Sequence, residues 1–551
     1  MMGFDSNKHW DSRPWHLLLA LFMPLFWASC NTNESPAHSA LFTYNASDGV
    51  RSLDPGKATD LESMWVVDQL CEGLLELDAA LHIQPALAEA WTVSDDGLTY
   101  AFRLRSGASF HNGAPVTAAD VKASFTRLRD ADEALPGRWV LSDLLTDGIE
   151  VLRKDSLHLH LSRPQPVFPG LLATPHASVL FQGGYGANPD TEDMGSGPFE
   201  LKGWIPETAM VLHRNPEYWM RDSAGVALPY LDGVRIEFNR EPGAEFLGFR
   251  QGRYDFVSAL DPEWASALRQ EDGTWKPEWE GKFNVHQVPY LKTDYIGFLV
   301  DTLALESEGF AALGPEVRRA MSMLLDRESL VRELRAGEAL PAQGFVPPGM
   351  PGFDHWQRSL SPDLRWRPET ADSILAAMGI GVAPPLRRLE AGTLGTKPDM
   401  ADLAGALQHI WAGHGIDVAV DIAPSSIDAE RVARSQVPMF RKSWLADYPD
   451  AENFLSLFMP DRWCPNGPNY THYANAEVTG LLVRAAAMVP GQEREALLRR
   501  AEATVMQDMP VIPLWHDQVM HLVSAQWDGW QVSPTNRLDL RRVRTSDVAQ
   551  P

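Results

Sequence analysis

The chain has 551 residues, 44% of them hydrophobic and 22% charged, with a net charge of −25. Wholesale disorder, a collagen-like repeat and a polytopic membrane protein are excluded, and the length suits roughly three to four domains or two large lobes with insertions. So acidic a chain lacks the basic face that a phosphate backbone needs, which argues against a general nucleic-acid binder; Trp outnumbers Tyr, 19 to 11, and tryptophan suits sites that grip chemically varied ligands.

At the N-terminus, Lys8 and Arg13 precede an apolar run from Leu17 to Trp27, then Ala28, Ser29 and Cys30. The run is shorter than the about 20 residues of a permanent membrane span and reads as a secretory signal over residues 1–30. A cysteine at the cleavage point resembles the bacterial lipoprotein signal, which implies lipidation of Cys30. Trp27 where that pattern has Leu, and the acidic residues Asp5 and Asp11, depart from it. Residues 31–40 read as a polar tether. Cys71 and Cys464 remain, and an exported location permits a disulfide between them, although two buried thiols are the simpler account.

Thr59 and Glu62 have capping-box spacing, and Met64, Val67, Cys71 and Leu74 continue a helical seam. Leu98, Tyr100, Phe102 and Leu104 alternate as in a half-buried strand, and Thr117 with Asp120 opens a helix whose apolar face is Val121, Phe125 and Leu128. In the strand Leu157–Leu161 the leucines take the core side, leaving His158 and His160 on the wet side. No Cys, Asp or Glu stands at ligand spacing beside them, so no metal site is assigned. Gly195-Ser-Gly197-Pro-Phe199 resembles a phosphate loop only superficially, since it lacks a third glycine and leads into a strand. Met400, Leu403, Leu407 and Ile410 form a helical stripe ending at Gly413 and Gly415, and Ile416, Val418, Val420 and Ile422 then alternate, which is half of an α/β crossover unit. Joints rich in Pro and Gly fall at 183–198, 341–352 and 460–468.

The chain carries no zincin, Walker or nucleophile-elbow motif, and its 73 acidic residues give no specific catalytic pair. One stretch stands apart, Arg441-Lys-Ser-Trp444-Leu-Ala-Asp447-Tyr448-Pro449-Asp450. An acid beside two aromatics and a turn-forming proline suits an ammonium group, and equally describes a surface turn with solvated aspartates.

Ordered motifs then run through most of the chain: Ser52-Leu-Asp-Pro55, Glu72-Gly-Leu74, Pro85-Ala-Leu-Ala-Glu-Ala-Trp91, Phe110-His-Asn-Gly113-Ala-Pro-Val-Thr117, Arg214-Asn-Pro-Glu-Tyr-Trp219, Asp326-Arg327, Trp444-Leu-Ala-Asp-Tyr448 and Met509-Pro-Val-Ile-Pro513. Together they resemble the bacterial extracellular solute-binding proteins of family 5, which feed dipeptide and oligopeptide ABC transporters. The resemblance implies an α/β, two-lobed periplasmic-binding-protein fold (type II, cluster C-like) with a hinge. Lobe I would comprise 41–71, 196–296 and 519–545, an inserted domain 72–195, and lobe II 297–518.

The same resemblance implies a non-enzymatic binder of short peptides, monomeric and without cofactor. It would be lipid-anchored on the periplasmic side of the envelope and would serve an ABC permease and its ATPase. By position, Asp447 would hold the ligand α-amino group with Trp444 beside it, Arg441 would meet a short peptide's carboxylate, Leu61 would line a side-chain pocket, and Asn469 would be a polar contact. The Asp461–Pro468 loop is a departure bordering the site. Family membership also admits binders of nickel complexes, haem, opines or sugars, and an envelope peptide sensor or chaperone stands as a further alternative.

Overall fold

The computed structural model describes residues 40–546 apart from 131–134, 185–193, 242, 259–263, 265–266, 271–273, 337 and 354–360. The leader, Cys30 and the tether up to residue 39 lie outside the described residues.

The architecture is mixed α/β, as the alternating periods indicate. An 11-stranded sheet runs in the order Ile416–Ile422, Leu389–Thr396, Met439–Leu445, Phe283–Phe298, Val511–Ser524, Phe256–Ser258, Leu41–Asn45, Gly233–Glu237, Ala209–Arg214, Phe199–Ile205, with Ala339–Pro341 also paired to Val511–Ser524. A separate four-stranded antiparallel sheet orders Ala88–Val93, Thr99–Leu104, Ser156–Leu161 and Leu144–Arg153. The crossover read at Met400–Ile422 is present: helix Ala401–Gly413 joins Leu389–Thr396 to its parallel neighbour Ile416–Ile422.

Three large apolar cores lie along this frame. One gathers Leu81 and residues between Leu291 and Trp515, including Phe345, Trp411, Phe440 and Phe458. A second gathers residues from Leu74 to Val179 around the four-stranded sheet, among them Phe102, Phe125 and Leu159. The third joins Phe42, Tyr44 and Val66 to Phe199, Ile236 and the C-terminal Trp527, Leu538 and Leu540. The Phe283–Phe298 and Val511–Ser524 strands pass between cores: Phe283 and Val285 with Met520 and Leu522 pack in a smaller aromatic cluster, whereas Ile296, Phe298, Ile512 and Leu514 belong to the first core. Their antiparallel register breaks between Pro289 and Thr293, where the core changes.

Local chemistry explains two departures from the sequence reading. The first helix, Leu61–Leu70, is capped by Asp60 instead of Thr59, with the Asp60 side chain accepting from Ser63 N. Ser63 is fully buried and its hydroxyl accepts from the backbone N–H groups of Arg51 and Ser52, which fixes the frame one residue later. The helix also stops short of Cys71 and Leu74, because the Leu70 carbonyl accepts from Gly197 N at 2.9 Å instead of from the next turn. A Cβ on Gly195 would lie 1.8 Å from the Leu70 oxygen and one on Gly197 2.5 Å from the Gln69 oxygen. These glycines therefore serve backbone approach to a helix end. The Thr117 helix start is as read: helix Ala118–Asp130 follows, and the Asp120 carboxylate reaches back to Thr117 N at 3.0 Å.

Arg327 shows how the first core is tied to the central strands. It is 4% exposed, and its guanidinium donates to the carbonyls of Pro513, Ser322 and Leu364 and to Ser322 Oγ, with no carboxylate paired to it among the described residues. Burial alone pushes the guanidinium down to about 9. Replacing Arg327 by Met leaves buried carbonyls without donors, so urea unfolding should show a loss of about 2–4 kcal/mol; a loss below about 1 kcal/mol would mean that water takes over those carbonyls.

Candidate functional site

The Met439–Leu445 strand ends in the stretch singled out from sequence, and its residues take different surroundings. Trp444 is half-buried against the first core, and its indole Nε1 donates to Asn453 Oδ1 at 2.7 Å. The amide nitrogen of the same Asn453 donates to Asp447 Oδ2 at 3.1 Å. Asn453 is 3% exposed, so a single buried amide fixes both the indole and the carboxylate.

Asp447 itself reaches the surface, yet its crowded surroundings remove enough water to raise its carboxyl above the usual aspartate range; Asn453 and nearby His176 oppose the shift without cancelling it. His176 is buried with Nδ1 bonded to Pro55 O at 2.8 Å, and burial lowers its pKa, so it offers an imidazole and not a permanent cation. Among the described residues Asp447 forms no ion pair with Lys or Arg. By contrast Asp450, three residues on, is held by both guanidinium nitrogens of the buried Arg494 at 2.6 and 3.0 Å. The two aspartates of one turn are thus unlike: one anchors the loop, and the other presents an exposed carboxylate that no Lys or Arg among the described residues matches.

The facing wall comes from the second core. Tyr448 packs against that core, its ring centroid 6.5 Å from that of Trp139, and its hydroxyl donates to Glu452 at 2.5 Å. Tyr448 and Pro449 lie close against Gly170. An acid is therefore set between aromatic side chains of two different cores, an arrangement that suits an organic cation.

The other sequence-derived residues lie apart from this acid. Arg441 is 8% exposed and turned to Asp294, itself 1% exposed, with which it forms an ion pair. Lys292 approaches Asp294 at 3.6 Å and bonds Asp517 at 2.5 Å, and Asp517 meets Arg335 at 3.0 Å, so charges alternate along the central strands. Arg441 Nε has no hydrogen-bond partner among the described residues. Leu61 opens the first helix and packs, half-buried, on the third core, whereas Trp444 packs on the first. Asn469 is 1% exposed, its amide donating to the carbonyls of Met459 and Tyr473 and accepting from Thr471, so its hydrogen-bonding capacity serves its own loop.

The Asp461–Pro468 loop is fastened beside Asn469. Trp463 stacks on His472 with ring centroids 4.7 Å apart, and Cys464 Sγ lies 3.2 Å from His472 Nε2, which helps hold the thiol below its ordinary value against the effect of burial. Cys71 is buried in the third core, and the two thiols are not bonded to each other.

A cavity of about 600 Å³ opens elsewhere, between Glu72–Ala86, Ala173–Ser178, Tyr218 and the C-terminal Gln531–Arg542. None of the sequence-derived residues lines it. Its charges are internally matched, Arg537 with Asp68 and Arg541 with Glu76 and Asp539. Glu72, pushed up to about 7 by burial, accepts from Tyr218, Trp219 and Ser196. Asn453, Asp294, His176 and Trp139 went unread because their roles depend on long-range pairing; only Asn453, six residues after Asp447, stood close enough in sequence to be suspected.

Comparison with known proteins bears on the fold and the family. The oligopeptide-binding protein OppA of Bacillus subtilis (strain 168) is 27% identical over 493 residues, covering 84% of this chain and 85% of its own. The probable deoxycholate-binding periplasmic protein YgiS of Escherichia coli (strain K12) is 26% identical over 543 residues, covering 94% and 95%. Among solved structures, the periplasmic murein tripeptide binding protein MppA in its unliganded open form superposes with a TM-score of 0.77 at 23% identity, over 92% of this chain and 98% of that one. That likeness shows the two-lobed α/β fold of the periplasmic binding proteins. The model of the bacterial extracellular solute-binding proteins, family 5 (middle), matches residues 82–463, and with most of its length matched the chain belongs to that family.

Proposed function

We propose that this protein captures short peptides in a cleft between two lobes and delivers them to an ABC permease and its ATPase, without changing them chemically. The observation that carries this reading is Asp447: an exposed carboxylate, raised above the usual aspartate range by its crowded surroundings, held in place by Asn453 and paired with no Lys or Arg among the described residues. A ligand α-ammonium supplies the missing charge, with Trp444 and Tyr448 beside it and Trp139 opposite. Arg441, through its unpartnered Nε–H, is assigned to the carboxylate of a short peptide. Leu61 is assigned to a side-chain pocket on the other lobe. Asn469 is assigned only to shaping the neighbouring loop, since its amide is committed there.

The lobe assignment draws support from the apolar cores. Most of the third core falls in lobe I over 41–71, 196–296 and 519–545, the second in an inserted domain over 72–195, and most of the first in lobe II over 297–518, while Leu81, Leu291, Tyr295 and Ile296 join the first core from outside lobe II and Leu180 joins the third from the inserted domain. The hinge is assigned to the break in strand register at Pro289–Thr293. Closure is then a population shift, favoured only by the extra affinity of the ligand for the closed state.

Lipidation of Cys30 would anchor the chain to the envelope on the periplasmic side, the tether giving the folded body its reach. Cys30→Ser should move the chain from the membrane fraction to the soluble periplasmic fraction. Retention of that variant in the membrane would refute a lipid anchor at this residue.

Calorimetric titration of refolded, ligand-stripped protein lacking residues 1–30 with a pool of di- to pentapeptides tests the peptide reading. Asp447→Ala, or N-acetylation of the peptides, should weaken binding at least about 100-fold, equivalent to about 3 kcal/mol. Binding indifferent to both changes, or binding of deoxycholate, the compound named for YgiS, in place of any peptide, would replace it by the non-peptide alternative.

The pH dependence has a defined sign. Binding an ammonium requires the ionised form of Asp447, and its pKa in the unliganded protein is raised. Affinity should therefore fall on acidification starting above the pH at which an ordinary aspartate, near about 3.9, takes up its proton. Titrations across the acidic range should show this fall in the wild type and a flat profile for Asp447→Asn.

A further inference from the structure

The two histidines set aside in the sequence reading acquire a third partner in the fold. His158 and His160 project from the solvent face of the Ser156–Leu161 strand, whose leucines are buried in the second core. The adjacent Leu144–Arg153 strand places Glu150 directly opposite His158. Glu150 Oε2 lies 3.4 Å from His158 Nδ1 and 3.5 Å from His160 Nε2. One ligand atom from each of the three residues falls within 4.8 Å of the other two, and the imidazole rings stand at 89° with centroids 5.9 Å apart.

We propose that Glu150, His158 and His160 bind a divalent transition-metal ion, zinc being the best match, on the outer face of the four-stranded sheet. Three features of the site carry this. Ligand atoms about 2.1 Å from a tetrahedral centre lie about 3.4 Å from one another, the spacing that the carboxylate oxygen already keeps from both imidazole nitrogens. Two neutral imidazoles and a carboxylate form a donor set that suits zinc and leaves a coordination position open to solvent.

The third feature is a supporting contact that orients one ligand. His160 Nδ1 lies 3.1 Å from the hydroxyl of Thr99, its registered neighbour on the next strand. With Nδ1–H donating to that hydroxyl, Nε2 is left as the lone-pair nitrogen and turned toward Glu150. The local backbone is shaped for this approach. The two strands lose regular pairing between Leu144 and Ile149, and a Cβ on Gly148 would lie 2.6 Å from the His160 carbonyl oxygen, so only glycine lets the bulged strand lie this close. Sequence spacing could not reveal the site, since that irregular register decides which acid faces His158.

The test is titration of the chelator-treated full chain with Zn²⁺ against a chromophoric zinc competitor, with circular dichroism confirming the fold of each variant. Wild type should take up one equivalent in this competition. His158→Ala, His160→Ala and Glu150→Gln should each weaken uptake at least ten-fold, and Thr99→Val several-fold, because it orients a ligand without being one. Co²⁺ in place of Zn²⁺ should give visible absorption bands that vanish in the same ligand variants. No stoichiometric uptake by wild type, or unchanged uptake in the His158→Ala/His160→Ala double variant, would overturn the proposal and leave the three side chains as a surface hydrogen-bonded cluster.

Discussion

The antiparallel ladder between Phe283–Phe298 and Val511–Ser524 is the constraint on which the rest depends. These strands hold the centre of the large sheet and pass from one core to another. A strand pair resists stretching and shear through its hydrogen bonds but twists readily where the register is interrupted. The interruption at Pro289–Thr293 falls where the strands pass from the smaller aromatic cluster to the first core, to which Leu291 already belongs. The alternating series Arg441, Asp294, Lys292, Asp517 and Arg335 lies along this same stretch. Each member is neutralised by its neighbours, so the crossing can be partly dry without holding an uncompensated charge.

Against that balanced background the treatment of Asp447 has physical meaning. A protein with 73 acidic residues has ample opportunity to pair or expose each of them, and Asp450 is paired as well as geometry allows. Asp447 reaches the surface, is oriented by Asn453 and pairs with no Lys or Arg among the described residues, while its crowded surroundings disfavour the charged form. An acid so placed is open to an external partner. The rigid parts surround it: Arg494 pins the loop from behind and Asn453 sets the rotamers of both Trp444 and Asp447, so a ligand meets groups that do not need to be ordered on arrival.

What could be read in the sequence was what is local. Period-two alternation located the Thr99–Leu104 and Ile416–Ile422 strands, and the stripe ending at Gly413 located an α/β crossover. The acid-and-aromatic composition of 441–450 marks the turn on which the proposed site rests. Legibility failed wherever two residues distant in the chain decide an outcome. Thr59 and Asp60 are both good caps, and the choice between them rests on loop amides that seek Ser63. Arg441 has the sequence surroundings of a ligand contact, but nothing local reveals that Asp294 on the paired strand takes part of its guanidinium and leaves Nε without a partner among the described residues. Asn469 lies in a polar loop, and its amide turns inward to close that loop. The cavity beside Glu72 draws its lining from segments separated by hundreds of residues, which no periodicity registers.

The contact between Leu70 and Gly197 brings the two ends of the polypeptide between them to one hydrogen bond apart. Its length can therefore change with little effect on loop-closure entropy. The segment is also tied down away from that root: His176 Nδ1 meets Pro55 O, Arg541 pairs with Glu76, and Gly170 lies against Tyr448 and Pro449. Trp139 and His176 are thus carried on a stretch braced at several points, in which insertions are absorbed between the braces and not at them.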